Sequence, residues 1–208
     1  MKGIIAVLLL AVLSGCSTIK INPSTSGSVE YRTAMDGTTA QLILSQDFQR
    51  AVITQKPSYG KAWGPREFEI AVGRPLSRAI VVDFKSRFQT TRVGDTDDGK
   101  PSNVVMIPQV VSLEFGVDDG RAMGLMAGMG LLAVGSEAVV GAKATVMALI
   151  STDDGSTTKV EVVGTGALKL AYISIDEADV SKAIGMALGD AAQKLGELAS
   201  KRASLAIN

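Results

Sequence analysis

The chain contains no histidine and a single cysteine, Cys16. Histidine is the commonest general base near neutral pH and the commonest zinc ligand. Its absence excludes Ser-His-Asp and Cys-His catalysis. One cysteine excludes an intramolecular disulfide and a cysteine-rich metal site. Aromatic residues make up 4% of the sequence, and 21 Lys+Arg balance 21 Asp+Glu. No basic surplus exists to neutralise a phosphate backbone, and few rings are present for bases to stack on. Nucleic acid is therefore not an expected partner. Carboxylate pairs, a Ser-Lys dyad and a carboxylate calcium site stay open. The balance of absences favours a non-enzymatic protein without a cofactor, acting by contact.

The N-terminus carries the sharpest signal. Lys2 supplies a positive charge, and residues 4–13 form an uninterrupted apolar run. That run has the length of a signal peptide core and is too short to span a bilayer. Leu13-Ser14-Gly15-Cys16 follows and resembles a lipobox. A transmembrane anchor or an ordinary signal peptide is the alternative. The resemblance implies that Leu13, Ser14 and Gly15 are read by a lipoprotein signal peptidase, that residues 1–15 are removed, and that Cys16 carries a covalent lipid. Several acyl chains give a durable membrane anchor where one binds marginally. In enterobacterial lipoproteins, a residue other than aspartate after the cysteine implies the outer membrane; here it is Ser17. The expected location is thus the periplasm-facing side of the outer membrane. The lipid would also occupy the only thiol.

Residues 16–39 are rich in Ser, Thr, Gly and Asn and read as a flexible, extended leader. Residues 40–208 are expected to form one domain. A strand is expected near 40–45. Residues 55–65, with Tyr59 and Trp63, read as a loop, its tryptophan either folded onto the core or offered to a partner. Pro75 suits the first turn of a helix. Leu76, Ala79, Ile80, Phe84 and Phe88 then make one apolar stripe, with Arg78, Lys85 and Arg87 outside it. Residues 104–115 read as a strand in which Pro108 argues for an edge or a bulge. Residues 143–152 and 157–170 form a hairpin around Asp153-Asp154-Gly155-Ser156. A final helix opens with Asp176, Glu177 and Asp179, which favour the positive end of the helix dipole. Val180, Ile184, Ala187, Leu188, Ala191, Leu195 and Leu198 line one of its faces. The expected class is α+β: a mostly antiparallel sheet with two main amphipathic helices on one face.

Gly73-Arg74-Pro75-Leu76, a helix ending Ser86-Arg87-Phe88, an acidic loop and a Val-rich strand together resemble a group of small envelope lipoproteins. The group includes the lipopolysaccharide-assembly lipoprotein that plugs the outer-membrane translocon, auxiliary lipoproteins of ABC-type lipid transport, lipoprotein activators of penicillin-binding proteins, and the curli-secretion channel lipoprotein. The likeness covers roughly residues 73–203. It implies a role in envelope assembly, transport or secretion. These relatives are not enzymes, so no catalytic residue carries over.

Residues 120–142 are glycine- and methionine-rich, and 122–135 carry no charge. Gly124 and Gly128 have the small-xxx-small spacing that allows close helix contact. With Met126, Met129 and Leu131 they form the candidate interface, since methionine suits adaptable contacts. Three readings stand: a buried connection between strands, a surface that binds a copy of itself or a protein partner, and membrane insertion, which Glu137 opposes. A lipid- or glycan-binding carrier and a ring or pore former are the alternative functions. Asp95, Asp97, Asp98 and Gly99 lack the spacing of a calcium loop. Gly164-Thr165-Gly166 is not followed by the Lys-Ser/Thr of a phosphate loop.

Overall fold

The computed structural model describes residues 18–25, 34–60, 63, 66–120 and 136–207. The elements in chain order are β1 (Ile19–Ile21), β2 (Met35–Ile43), α1 (Gln46–Gln49), β3 (Val52–Gln55), β4 (Phe68–Ala71), α2 (Gly73–Arg87), β5 (Phe88–Gly94), β6 (Val104–Asp118), β7 (Glu137–Thr152), β8 (Thr157–Ala171) and α3 (Glu177–Ile207). Five strands form the main sheet in the order β5-β2-β6-β7-β8, and three form a smaller one in the order β1-β4-β3. The α+β class and the helices packed on the sheet match expectation. The sheets are mixed, however. β2 runs parallel to both β5 and β6, and β1 runs parallel to β4, while β6-β7-β8 and β3-β4 are antiparallel. Between β4 and β5, α2 carries the chain back along the sheet, so β5 re-enters in the direction of β2.

β6, β7 and β8 form the longest ladder, with register pairs from Val104↔Thr152 to Asp118↔Val139 and from Ser151↔Thr157 to Glu137↔Ala171. β7 alternates strictly: Ala138, Val140, Ala142, Ala144, Val146, Ala148 and Ile150 are buried on the inner face. β7 begins six residues earlier than the expected strand at 143. Residues 137–142 of the glycine-methionine stretch thus belong to the sheet. Pro108 lies just past Leu42↔Met106, the last pair between β2 and β6. It has no N–H to offer there, and the bulge follows between Val110 and Ser112. The turn at 153–156 forms as expected. Asp154 accepts bonds from the Ser156 N–H (2.9 Å) and the Thr152 hydroxyl (2.7 Å), and Gly155 takes φ 81°. These hydrogen bonds hold the exposed Asp154 carboxyl below the usual carboxylate range.

α2 and α3 cover the inner face. Leu76, Ile80 and Phe84 of α2 and Ile184, Leu188 and Leu195 of α3 are fully buried, as their spacing predicts. Phe88 keeps the four-residue spacing of the α2 stripe but has ψ 139° and opens β5. Asp176 caps α3, its carboxylate accepting from the N–H groups of Ala178 and Asp179. Gly164 and Gly166 of β8 face α3, where a β-carbon would collide with the carbonyl oxygens of Ala187 and Ala183. They are spacing residues for a helix lying close on a strand. Gly185 of α3 is equally tight against the Ser24 carbonyl. Nothing in the structure explains Gly189.

Parts of the expected leader belong to the fold. Ile19, Lys20 and Ile21 pair with Phe68, Glu69 and Ile70, Ile21 is buried, and Met35–Ile43 is a strand of the main sheet. Ile21 and Ile19 find an apolar edge at β4 that a composition reading of 16–39 does not reveal.

Candidate functional site

The register bonds gather one end of the molecule. Ile19 pairs with Phe68, and Phe68 pairs with Gln55 at the end of β3. Beyond β3, the Ser58 N–H donates to the Phe115 carbonyl (2.7 Å) and Tyr59 bridges to Gly116. β6 ends beside the start of β7, which lies beside the end of β8. The Tyr172 N–H then donates to the Ser136 carbonyl (2.9 Å), and α3 begins at Glu177. The start of β1, the aromatic loop, the turn at Tyr172–Ser174 and the first turn of α3 thus share one end. Gly120 and Ser136, which flank the undescribed part of the glycine-methionine stretch, lie there too.

Trp63 folds onto the core rather than standing free. It is 9% exposed and stacks on Phe68 with centroids 6.0 Å apart. Phe68 in turn meets Phe115 edge-on at 5.2 Å. The Arg66 guanidinium sits 4.8 Å from the Trp63 ring and pairs with Glu177 at 3.8 Å. Trp63, Arg66, Ile175, Asp176, Glu177 and Ala178 line an open depression of about 460 Å³. Tyr59 lies across the outer face of the β6-β7 pair, its ring against Gly116 and its hydroxyl over Gly141. Any side chain at either glycine would displace it. Burial raises the Tyr59 phenol pKa, and the charges of Asp118 and Glu114 add to it. Burial and Asp119 raise that of Tyr172. Ile173, next to Tyr172, is 60% exposed.

A second charged group holds the two helices together. Arg87, expected on the polar side of α2, is 6% exposed. Its Nε and Nη2 donate to both carboxylate oxygens of Asp83 (2.7 and 3.1 Å), and Nη2 also reaches the Gln193 carbonyl of α3 (3.3 Å). The pair sits over Gly196, where a β-carbon would meet the Asp83 carboxylate. The i,i+4 spacing of Asp83 and Arg87 was visible in the sequence, but their place between two helices was not. At the free edge of β8, Lys194 donates to the Val163 carbonyl (2.7 Å) and Asp190 accepts the Thr165 N–H (2.8 Å). Those two bonds occupy edge groups that another strand would otherwise use. Burial alone would raise the Asp190 carboxyl, but bonds from Lys194 and Thr165 outweigh it and lower the pKa.

The acidic loop is structural. Asp97 and Asp98 accept the N–H groups of Gly99 and Lys100, and Asp98 pairs with Arg92 at 3.1 Å. No group of possible metal ligands occurs among the described residues. None of the described helices is long and apolar enough to cross a membrane. The lipobox residues Leu13, Ser14, Gly15 and Cys16 lie outside the described residues, as do Gly124, Met126, Gly128, Met129 and Leu131.

No family model and no curated relative matches the chain. Among solved structures, protein XCC0632 from Xanthomonas campestris, described under the family DUF330, superposes with a TM-score of 0.50 at 13% identity. The match covers 90% of this chain and 98% of that one. The two share a fold. A minor lipoprotein from Acinetobacter baumannii gives 0.40 at 12% identity over 80% and 95% of the two chains. The hypothetical protein CT253 from Chlamydia trachomatis gives 0.43 at 7% identity over 81% and 99%.

Proposed function

We propose that this protein is a lipid-anchored, non-enzymatic component of the outer membrane that assists an envelope assembly, transport or secretion complex, working through protein contacts and as an oligomer. The observation that carries the anchor is Leu13-Ser14-Gly15-Cys16 directly after a charged start and a short apolar run. The absence of histidine and the commitment of the only thiol to a lipid support the non-enzymatic reading. The long Gly/Met-rich connection between β6 and β7 supports a contact role, with Gly124, Met126, Gly128, Met129 and Leu131 as the surface. A carrier with an acyl chain between α3 and β8 is disfavoured, because Gly164 and Gly166 bring the helix backbone into contact with the strand there.

Cys16→Ala tests the anchor. The variant should accumulate as unprocessed precursor or leave the membrane fraction. A lipidated, membrane-bound product of unchanged size would end the proposal. Crosslinking in membranes followed by pull-down tests the contact role, and a chain recovered only as an uncrosslinked monomer would overturn it.

A further inference from the structure

The anchor and the fold are joined by very little chain. Ile19 is already paired with Phe68 in β1, and Cys16 stands three residues before it. Three residues span about 10 Å even when fully extended. The following residues do not swing free either. Ile21 is buried, the Ser24 backbone crosses α3 against Gly185, and the Thr25 hydroxyl donates to the Pro75 carbonyl (3.4 Å). A lipid on Cys16 therefore holds the start of β1, and everything gathered at that end, close to the bilayer surface.

That end suits such a position. Ile173 projects from the Tyr172–Ser174 turn at 60% exposure. Three of the surrounding carboxylates are engaged: Glu177 with Arg66, Glu137 with Lys169, and Asp176 with the N–H groups of α3, while Asp118 and Asp119 lie beside Tyr59 and Tyr172. An apolar tip beside paired charges enters a lipid interface at lower cost than one beside free charges would.

We propose that the Tyr172–Ser174 turn is a membrane contact, with Ile173 inserted into the interface and the β7-β8 hairpin pointing away from it. This rests on the lipid anchor proposed above. The hairpin carries the turn at 153–156 about 50 Å from the anchored end, at the usual rise per strand residue. Bilayer lipid is the occupant, because the short link from Cys16 holds this end at the bilayer surface.

The test uses the lipidated full chain in phosphatidylcholine vesicles doped with a doxyl-labelled lipid. Cys16 is acylated, so an introduced cysteine is the one free thiol and takes an environment-sensitive dye cleanly. Dye positions are Ile173→Cys at the proposed contact, Leu149→Cys on the outer sheet face, and Asp153→Cys and Leu205→Cys at the far end. Leu205 is 68% exposed, so it controls for apolar exposure alone. The expected result is loss of most emission at Ile173→Cys and little at the other three. Mass spectrometry of the same samples reads the lipid on Cys16. A lipidated chain quenched first at Leu149→Cys, which would mean that the sheet lies flat, overturns the proposal and leaves the anchor standing. So does a lipidated chain quenched nowhere. A chain without lipid on Cys16 overturns the anchor and this contact with it.

Discussion

On the inner face of the five-stranded sheet, α3 lies so close to β8 that Gly164 and Gly166 leave no room for a β-carbon. On the outer face, Ile107, Val111, Leu149 and Val163 stand between 41% and 48% exposed. Both faces carry apolar side chains at alternate positions. Only the inner one converts them into close packing, with small residues set where backbone must approach backbone. The inner face is therefore intolerant in both directions, to lost atoms and to added ones. The outer face should tolerate both.

The largest effect should come at the joint between the helices. Removing one member of a buried ion pair typically costs about 3–5 kcal/mol. Arg87→Ala should approach that in urea unfolding, since it removes the guanidinium that holds both carboxylate oxygens of Asp83 beside Gly196. The double change Asp83→Leu with Arg87→Met should recover much of the loss. If the single variant unfolds like the parent, the pair is not what joins α2 to α3. Next comes Gly164→Ala. Overpacking of this kind costs about 1–3 kcal/mol, and the added carbon meets backbone rather than a yielding side chain. Thermal denaturation reads it, and an unchanged midpoint would mean that α3 sits farther from β8 than described.

A smaller effect belongs to the β8 edge. Asp190 has a lowered pKa, so it binds fewer protons folded than unfolded. Its contribution is present above the unfolded aspartate pKa of about 3.9 and is lost as pH falls through its folded value. Asp190→Asn should remove that part of the acid sensitivity while leaving the unfolding transition cooperative. Equal acid sensitivity in both proteins would show that Asp190 does not hold the edge. Leu149→Ser, on the outer face, should stay within about 0.5 kcal/mol of the parent as an isolated surface change. A large loss there would mean that this face is covered in the native assembly, and the comparison between faces would need redrawing.

Much of the secondary structure could be read in advance. The stripes Leu76-Ile80-Phe84 and Val180-Ile184-Leu188-Leu195 report helices because burial repeats every turn. The Asp-Asp-Gly-Ser turn reports its hairpin because its residues bond their own backbone. The misreadings have physical causes as well. Phe88 is buried whether its backbone is helical or extended, so spacing could not place the end of α2. β1 has three residues, too few to show a period. Arg87 read as a surface charge because α2 alone gives no hint that α3 covers that side. Gly164 and Gly166 pointed to no role in isolation, since their role is set by a helix that follows them in the chain.

The sequence by itself carried the resemblance to a lipobox at Leu13-Ser14-Gly15-Cys16 and determined the two helices and the main hairpin, because each depends on neighbours in the chain. Only the tertiary structure decided that β2 runs parallel to β5 and β6, that Arg87 is buried, and that β1 is bound to β4. Strand pairing, burial and direction are chosen by partners distant in sequence. The same distinction applies to the N-terminal segment: the resemblance of Leu13-Ser14-Gly15-Cys16 to a lipobox is local, while the parallel pairing of Ile19 with Phe68 decides which end of the fold that segment joins.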